Sequence, residues 1–290
     1  MWVQLLLVSL GPLLLFCVGG TVRTRLASLF AFGLAAWIAL PAPAAAQSET
    51  QYVVTPRFWY TFISTGQRTP TGVSVEHTPV PLVGGTLAVV PAGMGGTTFS
   101  LTGFYGKGTG DYQEGDGLGT SFFIGESNLS RLDIEGVAQF PIGKAGAYWS
   151  LGLRYVKTDV EDRGTDQVPD PFSFIAHANY YLAEIGAGAS TALNAAGTQR
   201  FFGGLTLVAG VRKEDKHDTC CNGTFDQRLS VSTNVVGLDT NFGYSAALNS
   251  NATFYARYRL FVLTELEHFA SPDSFSIVHG PELNLSFKLN

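Results

Sequence analysis

Arg131-Leu132-Asp133-Ile134-Glu135-Gly136-Val137-Ala138-Gln139-Phe140 decides how the chain is read. Successive side chains of an extended strand point to opposite faces. One face of this stretch is Leu132, Ile134, Gly136, Ala138 and Phe140, and the other is Arg131, Asp133, Glu135, Val137 and Gln139. An apolar row backed by a charged row predicts a strand that separates two environments. The same period recurs further on. Trp149, Leu151, Leu153 and Tyr155 alternate with Tyr148, Ser150, Gly152, Arg154 and Val156. Phe172, Phe174, Ala176, Ala178, Tyr180 and Leu182 alternate with Ser173, Ile175, His177, Asn179 and Tyr181. Phe254, Ala256, Tyr258, Leu260 and Val262 oppose Tyr255, Arg257, Arg259 and Phe261. A soluble β-sandwich alternates in the same way, so the period alone leaves the architecture open.

The connections narrow it. Pro91–Gly96, Pro141–Gly146, Asn194–Gln199 and Leu248–Asn251 are short. Between them lie longer polar connections: Lys107–Ser127, Asp159–Pro171, Lys213–Asp226 and Glu267–Pro272. Short and long connections taking turns are the pattern of an outer-membrane barrel, with short periplasmic turns and longer outer loops. Ten strands are expected, near 51–63, 80–90, 97–106, 128–140, 147–158, 172–190, 200–212, 227–247, 252–265 and 274–289. The second is interrupted by Pro79, Pro81, Gly84 and Gly85, so eight strands, with 64–127 as one elaborate loop region, is the alternative. In the eighth, Leu229, Val231 and Val235 are odd while Leu238, Phe242 and Tyr244 are even, which predicts a β-bulge near Gly237. The fold class is therefore all-β: a closed antiparallel up-and-down transmembrane barrel. Each unpaired backbone group costs several kcal/mol in hydrocarbon, so strands enter lipid only when the sheet closes. Phe58 and Tyr60, Tyr148 and Trp149, Phe201 and Phe202, and Phe242 and Tyr244 sit near strand ends, as interface girdles require.

Composition agrees. Charged residues are 14% of 290, against about 25% in soluble domains. The net charge of −5 argues against nucleic acid as a partner. Abundant apolar and aromatic residues exclude intrinsic disorder. Residues 1–46 carry Arg23 and Arg25, the apolar run Leu26–Leu40, and small residues with Ala44 and Ala46 before Gln47. These are the three parts of a secretory signal, with cleavage expected after Ala46. The first apolar run, Trp2–Val18, lacks its own positive flank, which suggests a true start near Val22. Residues 47–290 are then one barrel domain. Cys220 and Cys221 are adjacent, a spacing that suits a vicinal disulfide or a bond to another chain better than a zinc site, so no metal is expected.

The chain closes on Leu283-Asn284-Leu285-Ser286-Phe287-Lys288-Leu289-Asn290. This resembles the terminal strand of small bacterial outer-membrane β-barrel proteins, where alternating apolar residues approach a terminal aromatic. Leu283, Leu285, Phe287 and Leu289 carry the resemblance, and three residues follow the aromatic. The resemblance implies a Gram-negative outer-membrane location and the barrel-assembly machinery as a partner.

Arg57, Arg131, Arg154, Arg257 and Arg259 have inward parity, as do Asp133, Glu135 and His177. Two readings compete. Charge-assisted pairs across a narrow bore would form a polar plug. A cationic constriction, best placed at Arg257 and Arg259, would select small anions. Ser173 lies four residues from His177, and Asp215, His217 and Asp218 share a polar stretch, but neither group makes a convincing catalytic set. The acidic residues Asp111, Glu114 and Asp116 offer a bridge to lipopolysaccharide through divalent ions. The expectation is a narrow passive pore for small solutes, or a structural surface barrel, in contact with the outer-membrane bilayer and lipopolysaccharide. It has no cofactor and is not an enzyme. A barrel-embedded enzyme acting on lipid or peptide is the competing class, and a soluble periplasmic sandwich a third.

Overall fold

A computed structural model describes residues 49–69, 72–115, 121–143, 146–164, 173–220, 225–265 and 274–289. The leader lies outside them, as does Cys221. The described chain forms ten strands: β1 (Gln51–Thr69), β2 (Gly72–Val90), β3 (Thr98–Gly115), β4 (Ser121–Ile142), β5 (Ala147–Gly164), β6 (Ser173–Ala192), β7 (Gln199–Cys220), β8 (Phe225–Ala247), β9 (Ala252–Glu265) and β10 (Ser274–Leu289). Each pairs antiparallel with its sequence neighbours, and β1 pairs with β10, which closes the barrel. The short connections all fall at one end, called here the turn end; the other is the loop end.

Several expectations need correction. The eight-strand alternative is set aside, because β2 pairs with β1 from Gln51↔Val90 to Thr69↔Gly72. Pro79 and Pro81 interrupt only its other side. Pairing with β3 holds at His77↔Asp111 and resumes at Leu82↔Gly106 in the same register. Proline has no N–H for that ladder, and the facing strand answers with glycine. A Cβ on Gly108 would sit 2.0 Å from the Pro79 carbonyl oxygen. Three of the long polar connections are strand in their described parts, and Glu267–Pro272 lies outside the described residues. β7 and β8 pair without a break from Gln199↔Ala246 to Cys220↔Phe225, so Lys213–Cys220 is ribbon, not loop. Polar residues stay extended there because both neighbouring strands satisfy their backbone groups. The bulge near Gly237 is absent, since the registers Val208↔Gly237 and Gly237↔Leu263 run on unshifted. The change of hydrophobic phase has another cause: the bore itself turns apolar at that height.

The outer face is the greasy one. Val83, Leu87, Leu101, Leu153, Ile185, Leu205 and Leu283 are all exposed, Leu153 at 64%. So wide an apolar belt on a monomer marks contact with an apolar medium. A sandwich would have pressed these rows together inside, and it is excluded. Tyr60, Tyr105, Tyr155, Tyr181 and Tyr258 ring the belt toward the loop end, and Tyr52, Phe99, Trp149, Phe201 and Phe287 toward the turn end.

Candidate functional site

The bore is layered along its axis. At mid-height an apolar layer fills it: Trp59, Leu82, Phe104, Leu129, Val156, Leu182, Val208, Phe261 and Val278 are each at most 3% exposed. Trp59 is fixed by its indole N–H, which donates to the Gly280 carbonyl at 3.2 Å. Gly280 has φ +152, and a Cβ there would lie 2.0 Å from the Tyr60 carbonyl oxygen, so only glycine lets β10 approach β1 here.

Directly on the turn side of this layer lies an ion network. Asp133 accepts from Arg154 Nε at 2.7 Å and from Arg131 Nη2 at 3.1 Å. Asp239 accepts from Arg154 Nη1 at 2.7 Å and from Arg259 Nε at 3.0 Å. Across the bore, Glu282 accepts from Arg57 Nε at 2.6 Å and from Arg257 Nε at 2.8 Å. Arg57 also donates to Thr86 and Thr102. Glu135 and Glu184 stand apart: their nearest cations are Arg259 at 3.6 Å and Arg154 at 3.7 Å. Five guanidinium groups thus face five carboxylates, and the layer carries no net charge when all are ionised.

The two layers interlock. Arg154 lies 4.0 Å from the Phe261 ring centroid, Arg57 4.7 Å from Phe104, and Arg259 5.0 Å from Trp59. A cation against an aromatic face is worth most when water is excluded. These arginines therefore seat the apolar layer as well as neutralising the carboxylates.

Below the network, toward the turn end, the bore is hollow. A cavity of about 320 Å³ is lined by hydroxyls and amides, including Thr55, Ser100, Ser150, Thr206, Asn241 and Asn284. Its lower edge, at Thr98, Gln139, Phe202 and Tyr255, is partly exposed, so it communicates with solvent on that side. Toward the loop end a smaller cluster sits in the bore, with Arg212 on Glu265 at 2.7 Å and Lys216 on Glu214 at 3.2 Å.

Of the residues expected in the lumen, Arg57, Arg131, Asp133, Glu135, Arg154, Arg257 and Arg259 all face inward, in two ion clusters of one layer: Arg57 and Arg257 on Glu282, and the other five around Asp133 and Asp239. His177 does not, and its placement is corrected. It points outward above the Tyr155 and Tyr181 girdle, 54% exposed, with Nδ1 2.7 Å from Asp159 Oδ1. The faces of β6 are the reverse of those expected: Ala176, Ala178, Tyr180 and Leu182 are the inward row. Burial pushes the Asp159 carboxyl up, but hydrogen bonds from His177 and Lys157 outweigh it and hold the group below the ordinary carboxylate range. Asp215 and His217 also lie on the outer side of a strand, bonded to Ser230 and Asp226.

Three network members were missed. The inverted β6 face hides Glu184, while Asp239 is readable from parity, between the lipid-facing Leu238 and Phe242. Glu282 was readable from parity alone, opposite the lipid-facing Leu283 and Leu285. Leu283, Leu285, Phe287 and Leu289 line the outer face of β10. Cys220 pairs with Phe225 at the tip of the β7–β8 ribbon, and with Cys221 outside the described residues the disulfide has no counterpart here.

No protein-family model matches the chain, and no curated protein matches it. Solved structures do. The outer-membrane protease OmpT from Escherichia coli superposes with a TM-score of 0.52 at 7% identity, covering 85% of this chain and 99% of that one. The translocator domain of the autotransporter NalP from Neisseria meningitidis superposes at 0.51 and 10% identity, covering 91% and 96%. At such identities the likeness shows the fold alone: a closed antiparallel β-barrel like those of these two outer-membrane proteins. It also corrects the expectation that the chain is not an enzyme. A protease is built on the same kind of barrel, so architecture gives no ground for setting catalysis aside.

Proposed function

We propose that the protein is a sealed outer-membrane barrel, a structural and surface scaffold, not an open passive pore. The observation that carries this reading is the pair of interlocked layers. A charge-neutral ion network capped by fully buried apolar side chains leaves no aqueous path past mid-height among the described residues. Selection of anions by a cationic constriction at Arg257 and Arg259 loses its support, because each of the five guanidiniums at that height lies against a carboxylate. The strands extend past the aromatic girdle at the loop end, which suits a rigid surface rim. Cleavage of the leader, insertion through the terminal strand and contact with lipopolysaccharide belong to the same proposal.

Conductance of the purified barrel in planar bilayers tests it. Heat-modifiable, folded protein should give no unitary channel events. Regular events of uniform size would overturn it.

A second reading is favoured by the protease neighbour: catalysis on peptide or lipid at the loop end, where Asp159–His177 and His217–Asp226 are exposed acid–histidine pairs. Turnover of a peptide library by the folded barrel that disappears in both His177→Ala and His217→Ala would support it. Absence of turnover would remove it.

A further inference from the structure

The turn-end cavity has a chemistry the sealing role does not use. Glu135 and Glu184, at its roof, receive no hydrogen bond from any described residue. Glu184 is only 5% exposed and Asn284 only 7%, and both line the cavity. Glu184 Oε1 and Asn284 Oδ1 accept no hydrogen bond, and Glu184 Oε1 has only the ion contact to Arg154 at 3.7 Å. An unsatisfied buried acceptor costs about 1–3 kcal/mol, more when charged. Two such groups around one cavity, with Glu135 beside them, are more than sealing requires, since Asp133, Asp239 and Glu282 already hold the arginines.

We propose that this cavity is a binding site for a small, uncharged, polyhydroxylated ligand of mono- or disaccharide size. Three features select that class. The unpartnered groups are acceptors, so the ligand must bring O–H or N–H donors. Arg257, at 18% the most exposed guanidinium of the network, supplies donors to the same space, so the ligand must also accept. The cavity presents both kinds of group: an added anion would face Glu135 and Glu184, and an added cation would face Arg257 and Arg259. A hydroxyl both donates and accepts without charge. Tyr148 and Tyr255 add aromatic lining to the same cavity. At about 320 Å³ the cavity is at the small end of the ~300–1,000 Å³ range of ligand sites. The proposal stands whether or not the bore conducts.

Calorimetric titration of the full barrel in detergent tests it, with glucose and maltose as probes. Putrescine and inorganic phosphate serve as the cationic and anionic comparisons. Saturable heats are expected for at least one sugar and for neither charged probe. Glu184→Gln should weaken sugar binding about tenfold by removing a charge-assisted acceptor. Ala88→Phe, which places a ring in the cavity without removing a hydrogen bond, should abolish it. Heat-modifiable migration establishes that each variant is folded. Failure of both sugars to bind wild-type barrel would overturn the proposal. So would saturable binding of putrescine or phosphate in their place, or binding unchanged in either variant.

Discussion

The two halves of the bore are built from the same strands at the same parity, yet they are opposites. The half toward the loop end is filled with apolar side chains that rest on arginine, and the half toward the turn end is hollow and hydroxyl-lined. The difference teaches that parity says only which side of the wall a residue faces. Height along the strand decides what it meets there. On β9, Tyr255, Arg257, Arg259, Phe261 and Leu263 are consecutive inward positions, and they pass from cavity to network to apolar layer within five steps.

The sharpest break of that comparison is Asp133→Ala. It leaves Arg131 and Arg154 buried without their main acceptor, and loss of one partner of a buried ion pair costs about 3–5 kcal/mol. Urea unfolding in detergent, followed by heat-modifiable migration, should show a midpoint far below wild type. A loss under about 1 kcal/mol would mean that water already enters the network. Leu129→Ala comes next. It opens a void in the filled half, where a buried leucine contributes about 2–5 kcal/mol, and the same unfolding assay reads it. Thr206→Ala, in the hollow half, should cost less than about 1 kcal/mol, because cavity water replaces the lost hydroxyl. If Leu129→Ala and Thr206→Ala cost the same, the two halves are not distinct.

The smallest effect lies outside the bore. The Asp159 carboxyl is held below its ordinary value, so its stabilisation is present above the unfolded-state pKa near ~4 and is lost as pH falls through the lower folded value. The pair is largely solvated, which limits this to under about 1 kcal/mol. Wild type should be slightly more stable than Asp159→Asn at neutral pH, and acid titration of stability should show that difference shrinking to nothing as pH falls through that window.

Much of the barrel was legible in the sequence. Alternation in β4, β5 and β9 fixed their lipid and bore faces, and the four short turns set the strand count. Seven of the network residues followed from parity. What was not legible shares one physical cause. Apolar residues were assumed to face lipid, and the bore carries an apolar layer of its own. On β6, Ala176, Ala178 and Leu182 are as apolar as an outer row, so His177 was turned inward and Glu184 outward. On β8, Val235 packs inside beside Leu263, and its burial was taken for a shift in register. The pairing of charges across the bore, and the cavity below them, depend on strands far apart in sequence, and no local pattern carries that.

Thiol accessibility from the two ends measures the seal most directly. With the native cysteines replaced by serine, Ser150→Cys places a thiol in the hollow half and Val231→Cys one on the loop side of the apolar layer, beyond Val235 and opposite Glu214. Reconstituted in vesicles, a small membrane-impermeant maleimide added at the turn end should label residue 150 and leave 231 untouched. Labelling of both positions from that one side would mean an open bore and would contradict the sealed barrel.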